Sequence, residues 1–255
     1  MPPAFAAGLV TLIGLMVGSF LNVCIHRLPL GESLAWPASR CPHCRTPLKP
    51  YENVPVVSFL MLGGRCRTCR APISMQYPIV EIVTAAVFLS AYLLFEPPLL
   101  YQRLVFSCSM IVLFVIDLEH RILPDVVTLP GAGVGFLASF FMPPGWVDSL
   151  IGLVLGGGSL WLMGEVYFRL RHEEGMGFGD VKMLAMVGAF LGWKLMLLTL
   201  VLSSLLGSLV GLGIIALKRG DMKYALPFGT FLAIGAIAAS VVGDWVVNWY
   251  ASFYR

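Results

Sequence analysis

Apolar residues in this chain gather into long runs separated by short polar breaks. The runs cover 4–24, 79–97, 101–117, 126–143, 149–168, 181–193, 195–217 and 226–249. A helix needs ~20 mostly apolar residues to cross the hydrocarbon layer of a bilayer. The pattern therefore predicts an all-α, polytopic membrane protein with about eight transmembrane helices. The run 181–193 is short for a full crossing. Gly152 and Gly156, and likewise Gly207 and Gly211, recur one turn apart, the spacing that lets two helices approach closely.

The first run has the length of a signal peptide's apolar core. Its start, MPPAFAAG, carries no basic residue, and no small-residue cleavage site follows it. Leu21–Cys24 also lacks the small residues expected before a lipid-bearing cysteine. A retained helix is expected.

Composition agrees with the pattern and adds an orientation. Hydrophobic residues make up 58% of the chain and charged residues 12%, whereas soluble domains carry roughly 25% charged residues. The surplus is expected to face lipid. A net charge of +3 gives no reason to expect a nucleic-acid partner. With the N-terminus outside, the segments 25–78, 118–125, 169–180 and 218–225 lie inside. Of the 17 Lys and Arg residues, only Arg103, Lys194 and Arg255 then fall outside. That asymmetry predicts an outside N-terminus and a cytoplasmic first loop.

The first loop is the one long polar insertion. It holds CPHC (Cys41, Cys44) and CRTC (Cys66, Cys69), with 21 residues between the pairs. Each CxxC turn puts two sulfurs on one side of the chain, and two such turns supply four ligands for a tetrahedral Zn²⁺. Disulfides rarely persist in a reducing compartment, and thioredoxin-type chemistry would want a βαβ context that this loop lacks. A closed, structural zinc site is expected. His43 reads as a bystander, and Cys24 and Cys108 as small buried apolar residues.

Acids beside apolar helices are few enough to weigh singly. Asp117 ends SMIVLFVID, and Asp180 sits in GMGFGDVKM just before LAMVGAFLG. A carboxylate at the edge of hydrocarbon is costly and marks a functional candidate. Asp180 also has a plain alternative as a helix N-cap. Asp125, after Pro124, reads as a cap, while Glu119 and Glu165 can reach the interface. Asp117 and Asp180 both lie at the predicted cytoplasmic boundary in short loops that could converge. Two close carboxylates do not both ionise easily, and such a pair can activate water and polarise a carbonyl.

Several stretches together make the chain resemble the type IV prepilin peptidases, whose aspartic-protease motif is GxGD. They are GSFLNVCIHRLP (Gly18–Pro29), the tetracysteine loop, NVPVVSFL (Asn53–Leu60), PISMQYPIVE (Pro72–Glu81), DLEHRILPD (Asp117–Asp125), GFGD (Gly177–Asp180) and ALPFGT (Ala225–Thr230). The resemblance implies that Asp117 and Asp180 are the catalytic aspartates. It also implies that Gly177, Gly179 and Pro227 belong to active-site loops. It favours catalysis over capping for Asp180. Thr230 stands where many relatives have a second proline, a departure expected to matter little to the chemistry.

The same resemblance implies cleavage of a basic leader from prepilins or type II secretion pseudopilins at a Gly-Phe type junction, on the cytoplasmic side of a bacterial inner membrane. N-methylation of the new terminus with S-adenosylmethionine would follow. The implied division is a first transmembrane helix at 1–24, a methyltransferase-associated zinc module at 25–78 and a peptidase core at 79–255. Asn53, Ser58, Tyr77 and Glu81 are polar residues in matching stretches, without a glycine-rich fingerprint to mark the cofactor's pocket. Two other readings stay open at this point: a non-catalytic zinc-ribbon assembly factor, and a proton-coupled transporter using the two aspartates.

Overall fold

The computed structural model describes residues 3–173, 177–217 and 226–253. Gly175, Met176 and Ala225, named in the motifs above, lie outside the described residues, as do Lys218, Arg219, Lys223 and Arg255. All regular elements among the described residues are helical, with two isolated β-bridges. The chain divides into two compact units, Met1–Glu96 and Pro97–Arg255.

In the first unit α1 (Pro3–Arg27) packs on α3 (Gln76–Leu94). Gly14 and Gly18 make the seam. A Cβ on Gly14 would stand 2.7 Å from the Cα of Ala85, and one on Gly18 2.7 Å from the Cα of Glu81. One turn further, Asn22 Nδ2 donates to the Tyr77 carbonyl at 3.0 Å. At the end of α1, the Arg27 guanidinium donates to the carbonyls of Ser33 (2.8 Å) and Pro37 (2.6 Å), folding the loop's start back on the helix. The loop otherwise holds two short 3₁₀ turns, Leu28–Leu30 and Pro50–Asn53, and the five-residue α2 (Val57–Met61).

The second unit contains α4 (Leu99–His120), α5 (Asp125–Ala138), α6 (Trp146–Arg171), α7 (Phe178–Ala216) and α8 (Phe228–Ser252). Its core joins Phe106, Met110 and Leu113 of α4 to Met183, Met186 and Phe190 of α7 and Leu232 and Ala236 of α8. The first half of α7 is the buried centre, with apolar side chains on most sides.

The helix α7 is two helices in one. Gly192 breaks it with φ 77° and ψ 171°, close to the gap expected between the runs 181–193 and 195–217. A break inside hydrocarbon leaves carbonyls without their helical donors, and these must find others. Ser149 Oγ donates to the Ala189 carbonyl at 2.7 Å and Gln102 Nε2 to that of Phe190 at 3.3 Å. Trp193 Nε1, just past the break, donates to Asp148 Oδ1 at 3.1 Å.

The eight apolar runs are thus found as seven elements. Six helices are long and apolar enough to cross a membrane, and α5, with 14 residues, is shorter. Its expected end at 143 is corrected to Ala138. There the Ser139 N–H and hydroxyl turn back to the carbonyls of Gly135 (3.2 Å) and Phe136 (2.6 Å), and the pair Pro143–Pro144 follows. Of the two glycine pairs, Gly152/Gly156 is a true close contact: a Cβ on Gly152 would lie 2.5 Å from the Gly188 carbonyl oxygen. Gly207/Gly211 is looser: among the described residues a Cβ on Gly207 would meet the Phe231 ring at 3.5 Å and one on Gly211 the Leu226 side chain at 3.3 Å, with no backbone as near.

Candidate functional site

Asp117 lies buried one turn from the end of α4, whose last carbonyls are turned by Arg121 in the left-handed region (φ 56°). The start of α8 meets it. Pro227 precedes that helix and offers no side-chain cap, so the first-turn N–H groups need an acceptor from elsewhere. Asp117 provides it. Thr230 donates its backbone N–H to Asp117 Oδ2 at 2.6 Å and its hydroxyl to the same oxygen at 2.9 Å. The approach depends on Gly229, where a Cβ would come within 3.0 Å of Oδ2. Thr230, expected to matter little, is the residue that grips Asp117. A proline there would supply neither donor.

Asp180 is buried in the first turn of α7. The N-cap of that helix is Gly177, without a side-chain cap bond, so Asp180 is not the cap. Its Oδ2 lies 3.6 Å from where a Cβ on Gly177 would stand. Leu123, in the turn between α4 and α5, fits against both helix starts: a Cβ on Gly179 or on Gly229 would each stand 2.9 Å from it. The structure thus brings Asp117, Asp180, Gly177, Gly179 and Pro227 to the starts of α7 and α8 and the end of α4. Asp125 was expected to be a cap and is not. It occupies the first turn of α5 and pairs with Lys182 of α7, whose Nζ lies 2.6 Å from Oδ1.

The four cysteines of the first unit also converge, with all four sulfurs within 4.8 Å of one another. Cys41 and Cys69 Sγ are 3.8 Å apart, Cys44 and Cys66 Sγ 3.9 Å. A tetrahedron with Zn–S bonds of ~2.3 Å has edges of ~3.8 Å, so the sulfur cage fits that ion. Each knuckle is built alike. Arg45 and Arg70 follow the second cysteine with φ 57° and 60°, and their N–H groups return to Cys41 and Cys66. Arg40 bridges to Pro47 and Arg65 to Pro72. The underlying repeat, RCPHCRTP and RCRTCRAP, was readable in the sequence.

Protonation fits the same reading. The Cys44 thiol is drawn down to about 6, chiefly by the Thr46 hydroxyl and then by backbone at Thr46. Backbone N–H groups of Cys69 and Thr68 lower Cys66. At Cys69 the Ala71 backbone works toward ionisation, but burial and the three neighbouring sulfurs outweigh it and push the thiol up to about 11. Four thiolates this close repel one another without a cation between them. Glu52, which sequence reasoning missed, ties the spacer to the second knuckle. It accepts the Lys49 N–H at 2.8 Å and the Arg67 Nε at 2.7 Å, in that order the causes that hold its carboxyl below the usual range.

Of the remaining polar residues, Glu81 is buried on α3 and accepts the Val56 N–H at 2.7 Å, with Val56 at φ 60° and ψ −48°. Asn53 ends a 3₁₀ turn, Ser58 lies in α2, and Tyr77 accepts from Asn22.

The architecture is that of a multi-pass helical membrane protein with two buried carboxylates and a four-sulfur module. Comparison with known proteins places it more closely. Residues 12–95 match the bacterial peptidase A24 N-terminal domain, and residues 104–212 match the type IV leader peptidase family. Proteins named prepilin leader peptidase/N-methyltransferase are similar over nearly the whole length. The one from Pseudomonas aeruginosa is 37% identical, covering 95% of this chain and 92% of the relative. That from Aeromonas hydrophila is 38% identical with the same coverages of 95% and 92%. That from Burkholderia pseudomallei is 35% identical, covering 95% and 87%. No solved structure matches. The chain belongs to the type IV leader peptidase family.

Proposed function

We propose that this chain is a prepilin peptidase and N-methyltransferase of the bacterial inner membrane. It removes the leader peptide of prepilins or pseudopilins and then methylates the new N-terminal amine. The observation that carries the peptidase reading is that Leu123 packs against the starts of both α7 and α8, one bearing the buried Asp180 and the other the Thr230 that holds the buried Asp117. A carboxylate pair holding a single proton can work on both sides of a peptide bond. The ionised member takes a proton from water as the oxygen adds to the scissile carbonyl carbon. The protonated member gives its proton to the carbonyl oxygen. Collapse then breaks the C–N bond, and the amine leaves with a proton from the pair.

Gly177, Gly179 and Pro227 stand at the starts of α7 and α8, where we assign the reception of an extended substrate. The junction we assign is of Gly-Phe type, because glycine adopts irregular backbone at low cost. The N-terminus is assigned to the outside, with the tetracysteine loop and the aspartates at the cytoplasmic face, from the distribution of Lys and Arg. We assign residues 25–78 to the methyl-transfer module and draw the peptidase core from 79–255. Cys41, Cys44, Cys66 and Cys69 would hold a structural Zn²⁺, which locks the two knuckles together and leaves no open position for chemistry. S-adenosylmethionine is the methyl donor of the second activity. Neither a non-catalytic scaffold nor a transporter has an observation in its favour here.

The test is purified protein with a purified prepilin and S-adenosylmethionine, read by mass spectrometry of the pilin N-terminus. Loss of the leader followed by a gain of one methyl group is expected. An intact leader after full reconstitution in lipid would refute the reading.

A further inference from the structure

The grip of Thr230 on Asp117 is not explained by packing alone. A helix start normally meets its orphan N–H groups with water or with its own capping side chain. In α8 the acceptor is a buried carboxylate from α4, 113 positions away in the chain, and it takes two donors from one residue. Both fall on Oδ2. The carboxylate plane is thereby fixed, and proton exchange with a reactant is left to Oδ1. Two further features belong to the same arrangement. Gly229 gives the carboxylate room to reach the backbone, and Leu123 wedges between the starts of α7 and α8 that carry Asp180 and Thr230.

We propose that Thr230 is a positioning residue of the peptidase: its N–H and hydroxyl hold Asp117 Oδ2 so that Oδ1 faces the reacting water. The proposal rests on the reading of Asp117 and Asp180 as the catalytic pair. Thr230 itself touches neither water nor substrate in this scheme. Its loss should therefore act on turnover and leave substrate binding alone.

The experiment measures kcat and KM for leader cleavage in Thr230→Val, Thr230→Ser and Asp117→Asn, in the same lipid and with thermal midpoints recorded. Valine keeps the shape and the N–H but loses the hydroxyl. Its kcat should fall about ten- to a hundredfold, the range for one hydrogen bond to a charged group, with KM and midpoint unchanged. Serine restores the hydroxyl and should return kcat to near the parent value. The proposal is overturned if valine cleaves at the parent rate, if serine fails to rescue, or if the loss lies in KM or in the midpoint. Asp117→Asn separates the two levels of argument. An active Asp117→Asn sinks the catalytic pair itself; an inactive one beside an active Thr230→Val sinks only the role of Thr230.

Discussion

The two units assemble their reactive groups by different means. In the first, each cysteine pair is set by a local turn a few residues long, and the same turn is used twice. In the second, the decisive contacts are tertiary: Asp117 is held by a residue 113 positions later, and Leu123 packs against both helix starts, beside Asp180 and Thr230. A local device can be lost without disturbing distant helices, because membrane helices satisfy their own backbone. A tertiary device fails when any of several contacts is altered. The contrast predicts which damage stays confined.

The largest effect is expected at the carboxylates. Asp117→Asn and Asp180→Asn should each lower leader cleavage by about 10²–10⁴ or more, the scale of a lost acid or base. Asp180→Asn should nevertheless methylate a pilin supplied already cleaved. Loss of methylation on that substrate would show that the two units do not act separately.

Next comes the sulfur cage. Purified protein should carry about one zinc per chain, and Cys66→Ser should lose it, since folding of such a module is coupled to its metal. Methylation should fall at least ~10-fold, within the range seen when metal sites are disturbed, and cleavage should fall less. Elemental analysis and the ratio of the two products decide the matter; a mutant that methylates fully but no longer cleaves would reverse the assignment.

A smaller effect separates the glycine pairs. Gly152→Ala forces a methyl onto the Gly188 carbonyl and should cost about 1–3 kcal/mol, as overpacking does. Gly207→Ala, with 3.5 Å of clearance, should change the thermal midpoint little. Equal midpoints in the two variants would mean that the seam between α6 and α7 can relax.

The smallest effect belongs to Asp125. Its pair with Lys182 is partly solvated, with the Asp125 side chain 56% exposed, so Asp125→Asn should cost only ~0.2–1 kcal/mol and leave cleavage largely intact. A dead Asp125→Asn beside an active Asp117→Asn would move the first catalytic role to Asp125.

Much of this was legible in one dimension. Apolar runs locate helices because hydrocarbon demands length, and CxxC spacing locates sulfurs because the turn is local. The break at Gly192 was nearly placed by the polar gap around Lys194. What escaped was tertiary. The contact of Thr230 with Asp117, the wedge of Leu123 between two glycines, and the pairing of Asp125 with Lys182 each join residues with no sequence relation. Pro124 before Asp125 suggested a cap, but the nearby Lys182 offered a charge that orphan N–H groups could not match. Gly207 and Gly211 had the spacing of a seam, but among the described residues they meet the side chains of Phe231 and Leu226 and not a facing backbone.

The interruption at Gly192 also bears on the bilayer itself. Phe178 to Leu191 and Asp125–Ala138 are 14 residues each, so each helix is about 21 Å long at 1.5 Å per residue. The hydrocarbon layer is ~30 Å thick. Both fall short of it, but the first half of α7 is enclosed by protein, so the mismatch is met by lipid at α5, where Val126, Leu129, Val134 and Leu137 are exposed. Lipid answers such a mismatch by thinning locally, which lowers the depth that a hydrolytic reactant must travel from bulk solvent. Cleavage should then be faster in vesicles of short acyl chains than of long ones, and a rate indifferent to chain length would argue that the protein carries its own hydrated path.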